Sequence, residues 1–313
     1  MSEGICKTKK FASVGGQALI EGVMMRGQSN IAIAVRKSDG EIVLKKDPVK
    51  KVGSSFFKLP LIRGMYALVS SMVVGIKALT YSAEFFEEAD EVKETKFDLF
   101  LKKIFKEKTD DVLVFFSMLF AIIMALFLFT FLPTFLIATL RAKVTNPIYL
   151  SAFEGVLKIA LFVAYILLIS RMNDVKRVFQ YHGAEHKTIH CLESGKELTV
   201  ENCREFSTLH PRCGTSFLLI VLVISITIFS FVSWTSPVMR VVWKIVLLPV
   251  VAGVSFEVLK WTGKGNSSFA KIISKPGMMM QKLTTNEPDD KQLEVAIAAL
   301  KHAIEDESDV LVK

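Results

Sequence analysis

Residues 112–132 read VLVFFSMLFAIIMALFLFTFL, which is 21 residues without a charge. At about 1.5 Å of rise per residue, an α-helix of this length crosses the roughly 30 Å hydrocarbon core of a bilayer. The apolar run continues past Pro133 to Leu140, so we expect the helix to kink or tilt at the proline. This stretch predicts a transmembrane helix, and the chain is therefore an integral membrane protein.

Three further apolar blocks, at residues 155–170, 214–234 and 238–258, predict three more spans. The first of these has room to begin earlier, because Glu154 and Lys158 are spaced i,i+4 and their pairing reduces the cost of charge near the interface. Together with the first helix, these blocks predict a mainly α polytopic membrane protein with about four transmembrane helices.

A fifth apolar block lies at residues 59–82 and is rich in Gly and Ser. It is a weaker candidate for a span, because Arg63 and Lys77 interrupt it. We expect it to form an amphipathic or re-entrant helix. The residues that follow, 84–111, carry dense charges of both signs and predict a cytoplasmic linker.

The Lys and Arg residues are distributed unequally around these spans. Eleven lie within residues 1–58, whereas the links at 141–149 and 234–237 carry only Arg141 and Lys143. Because Lys and Arg are enriched in cytoplasmic loops, we expect the long segments in the cytoplasm. Four spans return the C-terminus to that side, where several lysines suit contact with anionic membrane lipids: Lys260, Lys264, Lys271, Lys275 and Lys282. The prediction is a multi-pass protein of the cell membrane with both termini cytoplasmic.

The four cysteines then lie in a reducing compartment, where a thiolate metal ligand is favoured over a disulfide: Cys6, Cys191, Cys203 and Cys213. The start of the chain has basic residues but no apolar run after them, which does not fit a cleavable signal peptide. The formal net charge of +8 raises the question of nucleic-acid binding. We exclude it, because the cations border the spans and no nucleic-acid-binding signature is present.

A small cytoplasmic β element is expected ahead of the spans. Residues 30–35 and 41–46 are rich in β-branched side chains and flank Ser38-Asp39-Gly40, a typical hairpin turn. Before the hairpin, residues 15–27 are bounded by glycines and contain polar Gln17, Glu21 and Arg26. Two interpretations stay open for that segment: a turn packed under the hairpin, or a loop that lines the active site with Glu21 and Arg26 as substrate contacts.

Residues 182–186 read HGAEH and follow shortly after the second predicted span. In a helix this spacing places His182 and His186 on one face, with Glu185 beside them. The H-x-x-E-H order is known from zinc peptidases in which the histidines bind the metal and the glutamate acts as the base. The pattern predicts a metal site with Glu185 as the catalytic residue. The alternative is a solvated polar face of a helix that leaves the membrane.

A catalytic zinc usually takes three protein ligands and leaves one position for water, so a further ligand is needed. The segment HPRCG at residues 210–214 ranks first, because it offers His210 and Cys213 at the rim of the third span. His190 lies about 12 Å along the helix axis from His182, which is too far for both to reach one ion. We therefore interpret His190 as a partly buried surface histidine.

Five polar residues are candidates for contacts to the substrate or to the metal ligands: Gln17, Glu21, Arg26, Arg212 and Glu257. Glu257 is near the cytoplasmic end of the fourth span, where an ionisable group is costly enough to indicate a functional role. An ion pair between Glu257 and Lys260 is the alternative. His302 lies on a predicted amphipathic helix at residues 290–305 and is expected to be solvated.

Four motifs together resemble the YqhQ-like bacterial membrane proteins, which are described as predicted metal-dependent enzymes of unknown function. They read GGQALIEGVMMR at 15–26, YHGAEHK at 181–187, HPRCGT at 210–215 and QKLTTNEP at 281–288. The resemblance extends over nearly the whole chain. It implies a metal-dependent activity and gives no substrate.

The leading hypothesis is a hydrolase-like membrane enzyme. A divalent transition metal, with zinc as the expected ion, activates a water for which Glu185 is the base, and the substrate is a peptide or a lipid derivative. The alternative is a non-catalytic biogenesis or scaffold protein with a structural metal or none. A di-iron oxygenase is disfavoured, because the chain has only five histidines. A transporter is disfavoured, because no predicted span shows paired charges at mid-membrane.

The predicted organisation has six parts. They are a cytoplasmic segment with a β-hairpin (1–58), an amphipathic helix and charged linker (59–111), two spans (112–170), the cytoplasmic histidine-motif segment (171–213), two more spans (214–261) and a cytoplasmic tail with an amphipathic helix (262–313). The histidine-motif segment contains the four predicted metal ligands His182, His186, His210 and Cys213, and Glu257 of the last two spans is a further candidate ligand.

Overall fold

A computed structural model describes residues 14–49, 59–87, 109–144, 146–211, 213–234, 236–262 and 268–305. The described chain is mainly helical and begins with one antiparallel sheet of four strands in the order β1-β2-β3-β4. The strands are β1 (Gly15–Leu19), β2 (Gly22–Arg26), β3 (Asn30–Arg36) and β4 (Ile42–Pro48).

The helices are named in chain order. They are α1 (Ile62–Glu87), α2 (Thr109–Leu126), α3 (Leu132–Thr139), α4 (Pro147–Ile169), α5 (Asn173–Ser194), α6 (Val200–Arg204), α7 (Gly214–Ser230), α8 (Pro237–Thr262), α9 (Ser268–Thr284) and α10 (Asp290–Ile304). The predicted amphipathic helix near the C-terminus is confirmed as α10, which begins with a capping box formed by Asp289 and Gln292.

The predicted hairpin is confirmed. Strands β3 and β4 pair antiparallel from Asn30 opposite Pro48 to Arg36 opposite Ile42. Gly40 has a φ of 92°, a left-handed conformation that glycine adopts without strain.

The interpretation of residues 15–27 as a turn or loop is wrong, because this segment forms strands β1 and β2. Their two-residue connection places Glu21 at a φ of 48°. Sequence reasoning missed the strands because Gly22–Arg26 has no alternation of polar and apolar residues. A strand with helices on both faces reads as a continuous apolar run.

Helices do cover both faces of the sheet. On one face, Val23, Met25 and Ala32 pack with α5 and α10. On the other face, Met24 and Ile33 pack against α1. The result is a three-layer arrangement whose core holds β2 at its centre.

Four helices are long and apolar enough to cross a membrane by length and composition: Ile62–Phe86, Val112–Ala142, Pro147–Ile169 and Pro237–Trp261. Two differences from the prediction follow. The block at 59–82 forms a helix of spanning length, and the block at 214–234 yields a shorter apolar helix at Phe217–Ser230. The second predicted span begins at Pro147, with Asn146 accepting the Ile148 N–H as its N-cap.

The expected distortion near Pro133 takes the form of a π-helical turn at Phe127–Phe131, directly before the proline at the start of α3. Proline lacks an N–H and its ring clashes with the carbonyl four residues earlier. A π-turn absorbs such a clash, because it widens the helix by one residue.

A cluster of four charged residues lies buried among the membrane helices, contrary to the expectation that no span shows paired charges. Glu154 pairs with Lys158 at 3.2 Å, with Arg240 at 3.1 Å and with Lys244. Each of the four side chains is at most 5 % exposed. The sequence indicated the Glu154–Lys158 pair but not its other partners, because Arg240 and Lys244 belong to α8 and meet α4 only in the folded bundle.

Candidate metal centre

The two motif histidines lie side by side on α5, with ring centroids 4.4 Å apart. His182 Nδ1 is 2.8 Å from the Thr284 carbonyl oxygen, and His186 Nδ1 bonds the Thr208 carbonyl oxygen. Because a carbonyl only accepts, each Nδ1 carries the proton and each Nε2 keeps its lone pair. This is the tautomer of a metal-binding histidine whose other ring nitrogen is held by the backbone.

Cys213 completes a group of three possible ligands. Its Sγ is 3.1 Å from His182 Nε2, and one donor atom from each of His182, His186 and Cys213 lies within 4.8 Å of the others. His186 Nε2 is buried and has no hydrogen-bond partner among the described residues. Burial lowers the pKa of His186, which favours the neutral form that binds metals.

Glu185 is buried next to this group. The Gly16 backbone donates a hydrogen bond to its carboxylate, whereas Oε2 is buried without a partner among the described residues. Burial raises the pKa of Glu185 to about 7. A carboxyl group with such a pKa both accepts and releases a proton near neutral pH.

A cavity of about 280 Å³ adjoins the group. Its lining includes Gly16 and Gln17 from β1, His182 and Glu185 from α5, and Cys213. Two of the possible metal ligands, His182 and Cys213, and the Glu185 carboxylate therefore border the same space, which has room for a reacting group.

Two glycines permit the close contacts of this site. A Cβ on Gly16 would lie 2.8 Å from Glu185 Cδ, and one on Gly183 would lie 2.1 Å from the Asn286 carbonyl oxygen. The Asn286 N–H in turn bonds the Phe179 carbonyl at 2.9 Å. The segment after α9 thus docks on α5, and this docking brings the Thr284 carbonyl to His182.

His210 does not belong to the three-residue group, although the sequence favoured it, together with Cys213, as a further metal ligand. Its Nε2 is 3.4 Å from Glu193 Oε2, and it forms a second group of possible ligands with His190 and Glu193. Gln281 fixes the His210 backbone by two hydrogen bonds of 2.8 Å, to its N–H and its carbonyl. His190 therefore lies in a cluster and is not an isolated surface histidine.

Two of the polar candidates, Glu21 and Glu257, lie apart from the three-residue group. Glu21 forms an ion pair with Arg177 and accepts a hydrogen bond from Tyr181 at 3.1 Å. Burial and the Glu21 carboxylate raise the pKa of Tyr181. Glu257 pairs with Arg63 of α1.

Two candidates remain. Arg26 lines a second cavity, between the sheet and α1. Arg212 lies outside the described residues. His302 lies on α10, where its Nδ1 bonds the Ala298 carbonyl within the same helix.

Sequence reasoning missed the contributions of Gly16, Thr208, Gln281 and Thr284. Two of these act through backbone carbonyls, which no side-chain pattern reveals. The available signals were the motifs themselves. The motif at residues 15–26 contains Gly16, and the motif at residues 281–288 contains Gln281 and Thr284.

Comparison with known proteins places the chain in a family. Residues 59–306 match the family described as "Protein of unknown function (DUF1385)". The chain is 35% identical over 309 residues to the "Uncharacterized protein YqhQ" of Bacillus subtilis (strain 168), covering 95% of this chain and 94% of that protein. No solved structure matches. The chain therefore belongs to the DUF1385 family, of which it has the matching region, and is a relative of YqhQ.

Proposed function

We propose that this protein is a metal-dependent, hydrolase-like enzyme of the membrane whose site faces the cytoplasmic membrane surface. His182, His186 and Cys213 would hold a divalent transition metal. Two imidazoles and a thiolate suit zinc, and three protein ligands leave a position for water. The observation that supports the proposal most is the buried Glu185 Oε2, which has no hydrogen-bond partner among the described residues and borders the same cavity as His182 and Cys213.

The residues of the chain have separable roles in this proposal. A bound divalent ion supplies Lewis acidity and lowers the pKa of water toward neutrality. Glu185 accepts the proton of the attacking water at Oε2 and returns it to the leaving group. The Gly16 N–H holds the other carboxylate oxygen in place. The Thr208 and Thr284 carbonyls fix the orientation of the two imidazoles.

Contacts between elements support the membrane arrangement that we propose. The sheet packs on α5, so the intervening chain must cross the membrane an even number of times. Three candidate spans, α1, α2–α3 and α4, lie in that interval. We propose that α1 is the helix that does not cross the membrane, because its Ala78 is buried against the sheet.

The same reasoning applies to the second pair of helices. α5 and α10 pack on each other, so α7 and α8 cross together or not at all. The 17 residues of α7 extend about 26 Å, close to the thickness of the hydrocarbon core. Four crossings by α2–α3, α4, α7 and α8 then leave the sheet, α5 and α10 on one side, which the Lys and Arg distribution assigns to the cytoplasm.

The test separates the base from the ligands. Glu185→Gln is expected to retain the metal and the fold but to lose activity, because loss of a general base typically costs about 10² to 10⁴ in rate. Because the substrate is unidentified, the readout is rescue of a strain that lacks the gene, with metal content measured on the same proteins. Rescue by Glu185→Gln, combined with failure of the His182→Ala and His186→Ala variants, would favour a scaffold with a structural metal.

A further inference from the structure

Arg26 is a half-buried cation at the end of the central strand β2. Its side chain makes no hydrogen bond or ion pair with any residue that the structure describes. Other arginines of the chain are paired with carboxylates: Arg36 with Glu294, Arg63 with Glu257, Arg177 with Glu21, Arg204 with Asp290 and Arg240 with Glu154. A partly desolvated guanidinium without a carboxylate is suited to an anionic ligand.

Arg26 borders a cavity of about 280 Å³ between the sheet and α1. The walls include Gly15, Gly16 and Gln17 of β1 on one side and Ser71 and Val74 of α1 on the other. Arg26 is the single charged residue among the described residues that line this cavity, so nothing in its described wall repels an anion.

This cavity adjoins the one at the candidate metal centre. Gly16 and Gln17, both on the edge strand β1, line the two cavities. Arg26 is the strand partner of Gly15, directly next to the Gly16 that contacts Glu185. Arg26 faces α1, whereas Glu185 lies on the opposite face of the sheet, so a ligand that reaches both must be elongated and pass around the edge strand β1, where Gly16 and Gln17 line both cavities.

The α1 wall connects the cavity with the lipid. Next to Ser71 and Val74, α1 exposes large apolar side chains: Val69, Met72 and Val73 are 59%, 50% and 48% exposed. Exposed apolar side chains on a helix of this kind are typical of contact with a membrane surface. A ligand that enters along α1 therefore brings an apolar part from the bilayer and a head group to Arg26.

We propose that Arg26 binds the phosphate head group of an anionic lipid-derived substrate whose reacting bond is placed at Glu185. The inference rests on the proposed function, because it names the substrate class of that site. It selects lipid over peptide as the substrate.

The experiment measures binding of short-chain phosphatidic acid to the full-length protein in an uncharged detergent. Short-chain phosphatidylcholine and inorganic phosphate are the comparison ligands. Arg26→Gln is expected to weaken binding of phosphatidic acid by about tenfold to a hundredfold, as expected for loss of a hydrogen bond between charged groups. Arg171→Gln is the matched control, because Arg171 is exposed and lines neither cavity.

A second variant guards against a folding defect in the first. Ser71→Phe fills the cavity from the exposed side of α1 and leaves Arg26 intact, and we expect the same loss of binding. Unchanged affinity in both Arg26→Gln and Ser71→Phe would overturn the inference. Inorganic phosphate binding as tightly as phosphatidic acid, or phosphatidylcholine doing so, would also overturn the assignment to an anionic lipid.

The same titration on the His182→Ala/His186→Ala variant distinguishes this inference from the proposed function. Binding that depends on Arg26 should persist there, since neither histidine contributes to the cavity around Arg26. Persistent binding in a protein that never contains metal would uphold the lipid site while the metal proposal fails. If metal-loaded protein bound phosphatidic acid independently of Arg26, the lipid inference would be overturned and the metal proposal would be upheld.

Discussion

Single residues bring distant segments of this chain together at the candidate metal centre. Gly16 lets β1 approach the Glu185 carboxylate, and Gly183 lets the Asn286 carbonyl approach α5. In each case a methyl group would lie where an atom of the neighbouring segment already is. The exclusion of a side chain at these positions explains one glycine in the motif at 15–26 and one in the motif at 181–187.

Gly16→Ala tests this role. The added methyl overlaps the Glu185 side chain and the Met24 carbonyl, so we expect destabilisation of about 1 to 3 kcal/mol and loss of rescue in the strain that lacks the gene. The metal ligands are untouched, so metal content should persist. Gly15→Ala is the matched control, because a Cβ there meets nothing within 4 Å. Equal behaviour of the two variants would refute the packing argument.

The sequence predicts part of the site at this scale. The pairing of His182 with His186 follows from helical periodicity alone, since i,i+4 residues share a face. The choice between His210 and Cys213 does not, because both precede α7 and only the folded loop separates them into different groups. The backbone carbonyls that hold the imidazoles come from segments far along the chain, and no local pattern encodes such contacts.

At the scale of elements, α1 is long and apolar enough to cross a membrane, but we propose that it does not cross. Its first turns pack on the end of α8, where Gly64 approaches Phe256, and its second half covers the sheet. Because α1 packs on the sheet and the sheet packs on α5, we expect α1 to lie on the same side of the membrane as α5. The amphipathic interpretation from Arg63 and Lys77 therefore remains the one we propose.

Reporter fusions test the position of α1. Fusions after Gly40, Lys93 and Lys196 are expected to read cytoplasmic, and one after Thr145 external. The fusion at Lys93 is the decisive one, because it follows α1 directly. An external signal there, or at Lys196, would be incompatible with the four crossings.

The buried charge cluster predicts a stability effect. Glu154 is the one carboxylate that contacts Lys158, Arg240 and Lys244 among the described residues. Glu154→Gln leaves three buried cations without their shared carboxylate. Removing one partner of a buried ion pair typically lowers the free energy of unfolding by about 3 to 5 kcal/mol. The thermal unfolding midpoint in detergent should fall clearly, while the exposed control Lys143→Gln should not change it. A Glu154→Gln protein as stable as the parent would contradict this role.

Elements were predictable where one local signal dominates. The long apolar helices and the turn at Gly40 follow from hydropathy and turn chemistry, and both are present. Strands β1 and β2 were not predictable, because burial on both faces removes the alternation that marks a strand. The pairing of α4 with α8 through charges also depends on the tertiary structure.

At the scale of the whole molecule, four separate motifs converge on one place. Gly16 comes from the sheet, His182 and His186 from α5, Cys213 from the rim of α7, and Thr284 from the end of α9. The sheet and α5 therefore join the membrane helices through the candidate metal centre. This arrangement supports our proposal that the chemistry takes place next to the bilayer on a lipid-derived substrate.

Metal content measured by elemental analysis on protein purified in mild detergent tests the central claim most directly. We predict close to one transition-metal ion per chain in the parent protein. His182→Ala/His186→Ala and Cys213→Ala should lose it, whereas His210→Ala should retain it, because His210 belongs to the other group. Absence of metal from the parent, or unchanged metal content in the His182→Ala/His186→Ala variant, would contradict the assignment of these residues as ligands.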